Sequence, residues 1–246
     1  NVDSTHLAET LKEIKTDQTL NEGLRPAVIK VDHELVVSGQ FRVQGNGALL
    51  KSGPGTLVVR TRQERVNNYF SVGANQIGFG GSYVNAPANG DSPYVGVSAF
   101  QVTEGRFVID TPNTVTNWFG THESGIGIRS TDQAGKETAA YLDIYGGVNK
   151  FGSWLCAARN NGDTTTAPQG LRSEITVYGG ETSAGSFGIG YSQNNSSAFT
   201  MTGVMTVRDG ILKSNADGSV GPNVTVTETG MLDLNGKRGV KLLRLS

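Results

Sequence analysis

From Pro26 onward, apolar and polar residues alternate in short runs, among them Ala27-Val28-Ile29-Lys30-Val31, Glu34-Leu35-Val36-Val37, Gln40-Phe41-Arg42-Val43 and Thr56-Leu57-Val58-Val59, with Gly, Asn, Ser and Pro between them. A period of two broken by such residues predicts β-strands joined by tight turns. Only the start of the chain reads differently. From Asp3 to about Lys15, Leu7, Leu11 and Ile14 recur at i, i+4 and i+7, Asp3 or Ser4 is available as N-cap, and Glu9, Lys12, Glu13 and Lys15 take the other sides. This spacing predicts an amphipathic helix within residues 1–16 whose apolar stripe covers an open end of the strands that follow.

Two phrases in the strand region share one form: YLDIYGG at residues 141–147 and SEITVYGG at 173–180. With the inward apolar pair before each turn as a register mark, the series Phe100/Val102, Leu142/Ile144, Ile175/Val177, Phe199/Met201 and Val224/Val226 emerges. It suggests a unit of about 24 residues, lengthened by polar inserts at 130–137 and 160–170, as repeat solenoids tolerate. A second alternating half accompanies each unit: Gly125-Ile126-Gly127-Ile128, Trp154-Leu155-Cys156-Ala157 and Phe187-Gly188-Ile189-Gly190. Two or three short strands per unit, with turns too short for crossover helices, do not make a doubly wound α/β sheet. They predict an all-β fold, a single-stranded parallel β-helix over residues 17–246, with coils about 4.8 Å apart and the marked pairs stacked as internal columns. The alternative is an antiparallel sandwich or jelly roll whose strands resemble one another by chance.

Composition narrows the function classes. The chain has 246 residues and 34 glycines, about twice the average usage of roughly 7 %, without a collagen period. Lys plus Arg number 21 against 22 for Asp plus Glu, a net charge of −1, so no global field favours nucleic acid or an anionic membrane. No apolar run approaches the roughly 20 residues of a membrane span, and no transmembrane segment is predicted. Cys156 is the only cysteine; it excludes an internal disulfide or cysteine-based cluster, and its apolar flanks predict a buried, inert thiol.

Ala48-Leu49-Leu50-Lys51-Ser52-Gly53-Pro54-Gly55-Thr56-Leu57-Val58-Val59 resembles the signature of autotransporter-associated β-strand repeats, with Ser52 where that signature has Thr. Val207-Arg208-Asp209-Gly210-Ile211-Leu212, Gly218-Ser219-Val220-Gly221 and Gly230-Met231-Leu232-Asp233-Leu234-Asn235-Gly236 resemble the same family's closing strands, and the Tyr-Gly-Gly units resemble glycine-rich repeats of large bacterial surface proteins. The resemblance covers roughly residues 27–240 and is poor over 60–98. It implies a right-handed parallel β-helix in an exported protein of the cell surface, extracellular space or periplasm, with a structural, presenting or adhesin-like role. It brings no catalytic residues. True autotransporters also have a C-terminal membrane barrel and many more repeats than are found here.

Motifs for chemistry are sparse. Gly125-Ile126-Gly127-Ile128-Arg129-Ser130 lacks the third glycine and the helix of a dinucleotide fingerprint, Lys51-Ser52-Gly53 is no phosphate loop, and Gly78-Phe79-Gly80-Gly81-Ser82 lacks the Asp of a calcium nonapeptide. No cofactor is predicted. His6, His33 and His122 are scattered and suggest no metal site. Carboxylates gather weakly at Asp132, Glu137, Asp143 and Asp163, and with the two inserts as groove walls they keep a carbohydrate-active enzyme, a polysaccharide lyase or glycoside hydrolase, as an alternative. The leading expectation is a non-catalytic binding module for glycan or a host or cell-surface protein; a purely structural segment of a longer surface protein is the third. If Leu142 and Ile144 point inward, period two sends Asp143, Tyr145 and Tyr178 outward, so the two tyrosines stack with Asp143 nearby as a carbohydrate-binding face, in a column with Thr103, Thr202 and Thr227. The plainer alternative is that the pair only shields backbone and steadies register. The apolar strand at 240–245 is an edge that needs cover, which adds self-association through the C-terminal coil to the expected partners.

Overall fold

The computed structural model describes residues 14–15, 27–44, 49–62, 67–71, 100–120, 124–128, 138–159, 171–189, 201–216, 224–236 and 244–245. Every regular element among them is a β-strand, and every strand pairing is parallel. Three ladders run side by side. The first joins β2 (Ala27–Lys30), β5 (Leu49–Ser52), β8 (Phe100–Val102), β11 (Ser124–Ile128), β14 (Trp154–Arg159) and β17 (Ser186–Ile189). The second joins β3 (Glu34–Ser38), β6 (Thr56–Arg60), β9 (Gly105–Ile109), β12 (Thr138–Ile144), β15 (Leu171–Val177), the first half of β18 (Met201–Ser214), β19 (Val224–Asp233) and β20 (Arg244–Leu245). The third joins β7 (Asn68–Ser71), β10 (Thr116–Phe119), β13 (Val148–Lys150), β16 (Glu181–Ala184) and the second halves of β18 and β19.

Each strand of the first two ladders through β15 pairs with the one three places later in the chain, so one tier of three strands lies on the tier before it. Parallel neighbours ordinarily need a crossover helix; here the strands of the other two ladders make the return. The arrangement is consistent with a parallel β-helix-like all-β fold. The helix expected before residue 17 is not present among the described residues: Ile14–Lys15 form strand β1, paired with β4 (Val43–Gln44), and the remainder of that segment lies outside them. Backbone pairing with β4 takes Ile14 out of the i, i+4, i+7 stripe.

Alternation fixes which residues face the interior. In the second ladder, Leu35, Leu57, Phe107, Leu142, Ile175, Met205 and Val224 stand in register as one buried column, and Val37, Val59, Ile109, Ile144, Val177, Val207 and Val226 as another. The expected Leu142/Ile144, Ile175/Val177 and Val224/Val226 pairs are therefore stacked, and residues 142–144 run parallel to 175–177. Phe100 and Val102 belong instead to the first ladder, opposite Ser124 and Ile126, and Met201 pairs with Leu171; Phe199 lies outside the described residues. Three strands per tier carry the same alternation, so the pattern alone does not say which ladder a strand joins. Spacing is also uneven, wide from Val59 to Ile109 and short from Val207 to Val226, in place of a regular unit.

The third ladder lines the interior with the phrase Asn-x-Phe. Asn68, Asn117 and Asn149 are in register and wholly buried. Asn68 Nδ2 donates to Asn117 Oδ1, and Asn117 Nδ2 to Asn149 Oδ1, each at 2.9 Å. The Phe41 amide and Thr61 bond Asn68 at one end, and Asn149 Nδ2 reaches Thr182 Oγ1 at the other. A buried amide costs stability unless it is bonded, so the ladder must be satisfied from tier to tier. Two residues on from each Asn, Phe70, Phe119 and Phe151 stack with centroids 4.5 and 4.0 Å apart, while Phe100 and Phe107 meet edge to face at 4.9 Å, a geometry that aromatic quadrupoles favour.

Lys51 stands in the inward column of the first ladder between Ile29 and Val102, fully buried. Its Nζ donates to the carbonyls of Gly53 at 2.5 Å, Gly55 at 2.6 Å and Glu104 at 2.7 Å. One ammonium thus ties the Gly53-Pro54-Gly55 corner to the corner of the next tier. Gly105, at φ +71°, faces the same group, and a Cβ there would collide with it and lie 2.5 Å from the Gly53 and Gly55 oxygens. This contact gives the Lys-Ser-Gly-Pro-Gly-Thr-Leu stretch its physical sense.

Asn117→Leu leaves a donor on Asn68 and an acceptor on Asn149 unmatched in the interior, with an expected loss of about 2–3 kcal/mol by urea unfolding; an unchanged midpoint would show the ladder to be idle. Burial pushes the Lys51 ammonium down to about 8, against the opposing pull of Glu104 and Asp32. Below that pH folded and unfolded chains are both protonated there. From about 8 to 10.5 the unfolded chain alone keeps the proton, so this group makes stability rise with pH. Relative to Lys51→Met, the wild type should gain up to about 3 kcal/mol across that window, and a difference that is flat or shrinks with rising pH contradicts the assignment.

Candidate functional site

At the corner between the second and third ladders the chain turns outward on Tyr145-Gly146-Gly147, and one tier on at Tyr178-Gly179-Gly180. The Tyr178 amide donates to the Ile144 carbonyl at 2.7 Å and the Glu181 amide to Gly147 O at 2.9 Å, so the two corners sit one on the other. Gly180, at φ +76°, approaches the earlier corner closely: an added Cβ would stand 2.8 Å from Gly146 C and 2.9 Å from Gly147 N. A left-handed conformation combined with so close an approach is open to glycine and to little else. Asn149 steadies the corner from inside, donating from Nδ2 to Gly146 O at 3.2 Å and Gly147 O at 3.4 Å.

This stacking sets the tyrosines. The rings of Tyr145 and Tyr178 lie 4.6 Å apart, 4° from parallel. Arg208 of the next tier covers the other side of Tyr178, its guanidinium carbon 5.6 Å from the ring centre. Tyr145 stays 52 % exposed, and its face turned away from Tyr178 has no ring or cation on it among the described residues. Partial desolvation, then Asp143, Tyr178 and Asp110, push its phenol above the ordinary range.

The neighbours differ from those expected. The Tyr145 amide donates to Ile109 O, which puts Asp110 in the preceding tier, and Arg208 follows Tyr178; Thr227 comes after, donating to the Arg208 carbonyl at 2.8 Å. Thr103 belongs to another corner, where its amide bonds Lys51 O, and Thr202 pairs with Arg172. Asp143 points outward yet is buried, 5 % exposed, and forms an ion pair with Arg106 Nη1. That guanidinium also lies over the Tyr141 ring at 4.5 Å. Burial raises the Asp143 carboxyl above its usual value, Arg106 opposes the rise and Glu174 adds to it.

Chemically, the arrangement offers a half-exposed aromatic ring, two phenol hydroxyls and a guanidinium. The carboxylates beside it are engaged: Asp110 accepts from Arg60 at 2.8 Å and Arg62 at 2.7 Å, and Asp143 from Arg106. Among the described residues no group of three His, Cys, Asp or Glu side chains could hold a metal. Of the weak acidic cluster, Asp132, Glu137 and Asp163 lie outside the described residues, as do the inserts at 130–137 and 160–170. His33 is exposed. Cys156 is buried, its thiol pushed up to about 12 by desolvation, and no helix among the described residues is long and apolar enough to cross a membrane. Arg244–Leu245 of the C-terminal strand pair in parallel with β19.

One exposed row escaped the reading of the sequence. The residues between Asn and Phe in the Asn-x-Phe phrases are Tyr69, Trp118 and Lys150, in register on the outside of the third ladder. The phrase itself was the signal: three copies with the same inward pair mark the middle position as outward. No family model matches this chain, and no curated protein or solved structure matches it.

Gly180→Ala should cost at least about 2 kcal/mol through its left-handed backbone and the crowding of the earlier corner, measured by thermal and urea unfolding; a variant as stable as wild type would show that the corners are not in contact.

Proposed function

We propose that the tiers are coils of one right-handed parallel β-helix, belonging with the autotransporter-associated repeat proteins of bacterial surfaces, and that the chain is an exported, non-catalytic module presenting a ligand-binding face to glycans. The pairing of strands three places apart through β15 supports the first part, as does the role of Lys51 in the Lys-Ser-Gly-Pro-Gly-Thr-Leu stretch on which the resemblance rests. The observation that carries the second part is the half-exposed Tyr145 ring, held parallel to its partner Tyr178. A rigid aromatic face beside phenol hydroxyls and a guanidinium suits the C–H face of a sugar together with its hydroxyls. The carboxylates beside it among the described residues, Asp110 and Asp143, are held by arginines, which supports a non-catalytic reading.

A second reading has an observation of its own. Tyr178 is covered on both faces, by Tyr145 and by Arg208, which suits a purely structural stack that fixes register between tiers. Tyr145→Ala/Tyr178→Ala separates the two. On a glycan array the wild type should bind a defined set of sugars and the variant should lose at least tenfold in affinity, with unfolding shifted by no more than about 1 kcal/mol. Absence of binding by the wild type, or equal binding by both, leaves the stack as architecture.

A further inference from the structure

Cations on the second ladder are mostly neutralised: Arg60 and Arg62 by Asp110, Arg106 by Asp143 and Arg172 by Glu174. The outward row of the third ladder is different. From tier to tier it reads Arg42, Tyr69, Trp118, Lys150, Ser183 and Lys213. Arg42 lies over Tyr69 at 5.6 Å and Lys150 over Trp118 at 4.6 Å, and no ion pair to Arg42, Lys150 or Lys213 occurs among the described residues. The rings hold these cations in place by their quadrupoles while leaving the charges without a counter-ion. Beside the row, Trp118, Lys150, Glu181 and Lys213 line an open cleft of about 370 Å³. Glu181 makes no ion pair among the described residues either.

A ligand complementary to this cleft must bring two kinds of group. Its anions meet Lys150 and Lys213, which stand two tiers apart, roughly 10 Å at the usual strand spacing. Its O–H donors meet the Glu181 carboxylate, and an apolar surface meets the 38 % exposed Trp118. A polyphosphate brings anions without hydroxyl donors. A neutral sugar brings hydroxyls without anions. We infer that this cleft binds a linear uronate-containing glycan, with sugar carboxylates on Lys150 and Lys213 and a sugar hydroxyl donating to Glu181. The site extends the reading of the chain as a glycan-binding module and is separate from the tyrosine pair, which lies on the other side of the Gly146-Gly147 corner.

The test is titration calorimetry of the full chain, at 50 and 200 mM salt, with alginate oligosaccharides, neutral cello-oligosaccharides and poly-glutamate as probes. Alginate oligomers should bind more tightly than either comparator and more tightly as they lengthen beyond the dimer. Lys150→Gln/Lys213→Gln should weaken alginate at least tenfold and flatten the salt dependence. Glu181→Gln, which removes a charge and weakens the acceptor for a sugar hydroxyl, should narrow the preference for alginate over poly-glutamate. Tyr145→Ala/Tyr178→Ala should leave the lysine-dependent, salt-sensitive part of alginate binding in place, so failure at the tyrosine face and failure at this cleft are told apart. These lysines and the glutamate are partly exposed, and thermal unfolding of each glutamine variant checks that the fold is kept. No alginate binding, equal binding of poly-glutamate, or indifference to the lysine substitutions each overturns the assignment.

Discussion

Parallel hydrogen bonding between tiers is the constraint from which the rest of the molecule follows. Each strand's partners lie in the tier before and the tier after, so a corner that departs in shape from its neighbour breaks the bonds on both sides of it. The backbone bonds at Tyr178, Glu181 and Ile211 all span adjacent corners, and the left-handed glycines at 147, 180 and 210 repeat one geometry. Side chains inherit the same repetition. Whatever occupies one inward position is placed directly against its equivalent, which is why phenylalanine stacks on phenylalanine and asparagine bonds asparagine. Unlike neighbours are admitted where each is satisfied separately, as with Lys51 between Ile29 and Val102, whose three donors are taken up by carbonyls of the corners.

That repetition explains what the sequence discloses. The twin Tyr-Gly-Gly phrases lie in adjacent tiers with identical local geometry, and reading them in register led correctly to Leu142 on Ile175 and Ile144 on Val177. The same period-two signal occurs in all three strands of a tier, so it could not separate Phe100/Val102, in the first ladder, from Phe107/Ile109, which stand beside Leu142 and Ile144. The Asn-x-Phe phrases were equally legible in principle. They passed unnoticed because an asparagine in a strand reads as a turn residue until its ladder partners are known.

At the site, alternation gave the outward direction of Asp143, Tyr145 and Tyr178 but not their surroundings. Which way a side chain points follows from local period; what it meets follows from the tier above and the tier below. Arg106 neutralises Asp143 from β9, the preceding strand of the ladder, and Arg208 reaches Tyr178 from the succeeding tier. Neither is near its partner in sequence. An outward residue on such a ladder is therefore tuned mostly by residues some thirty positions away.

Uneven spacing along the columns has a thermodynamic side. The ladder asks only that the chain return to the next equivalent position, and for a flexible return the entropy of closure grows with the logarithm of the length, about 0.6 kcal/mol per doubling. Between Val59 and Ile109 the chain also lays down β7 and β8, between Val207 and Val226 only the second half of β18, and both separations end with the columns in register. The columns therefore fix where the chain must return and leave the length between returns unfixed, so register and spacing are set by separate features of the sequence.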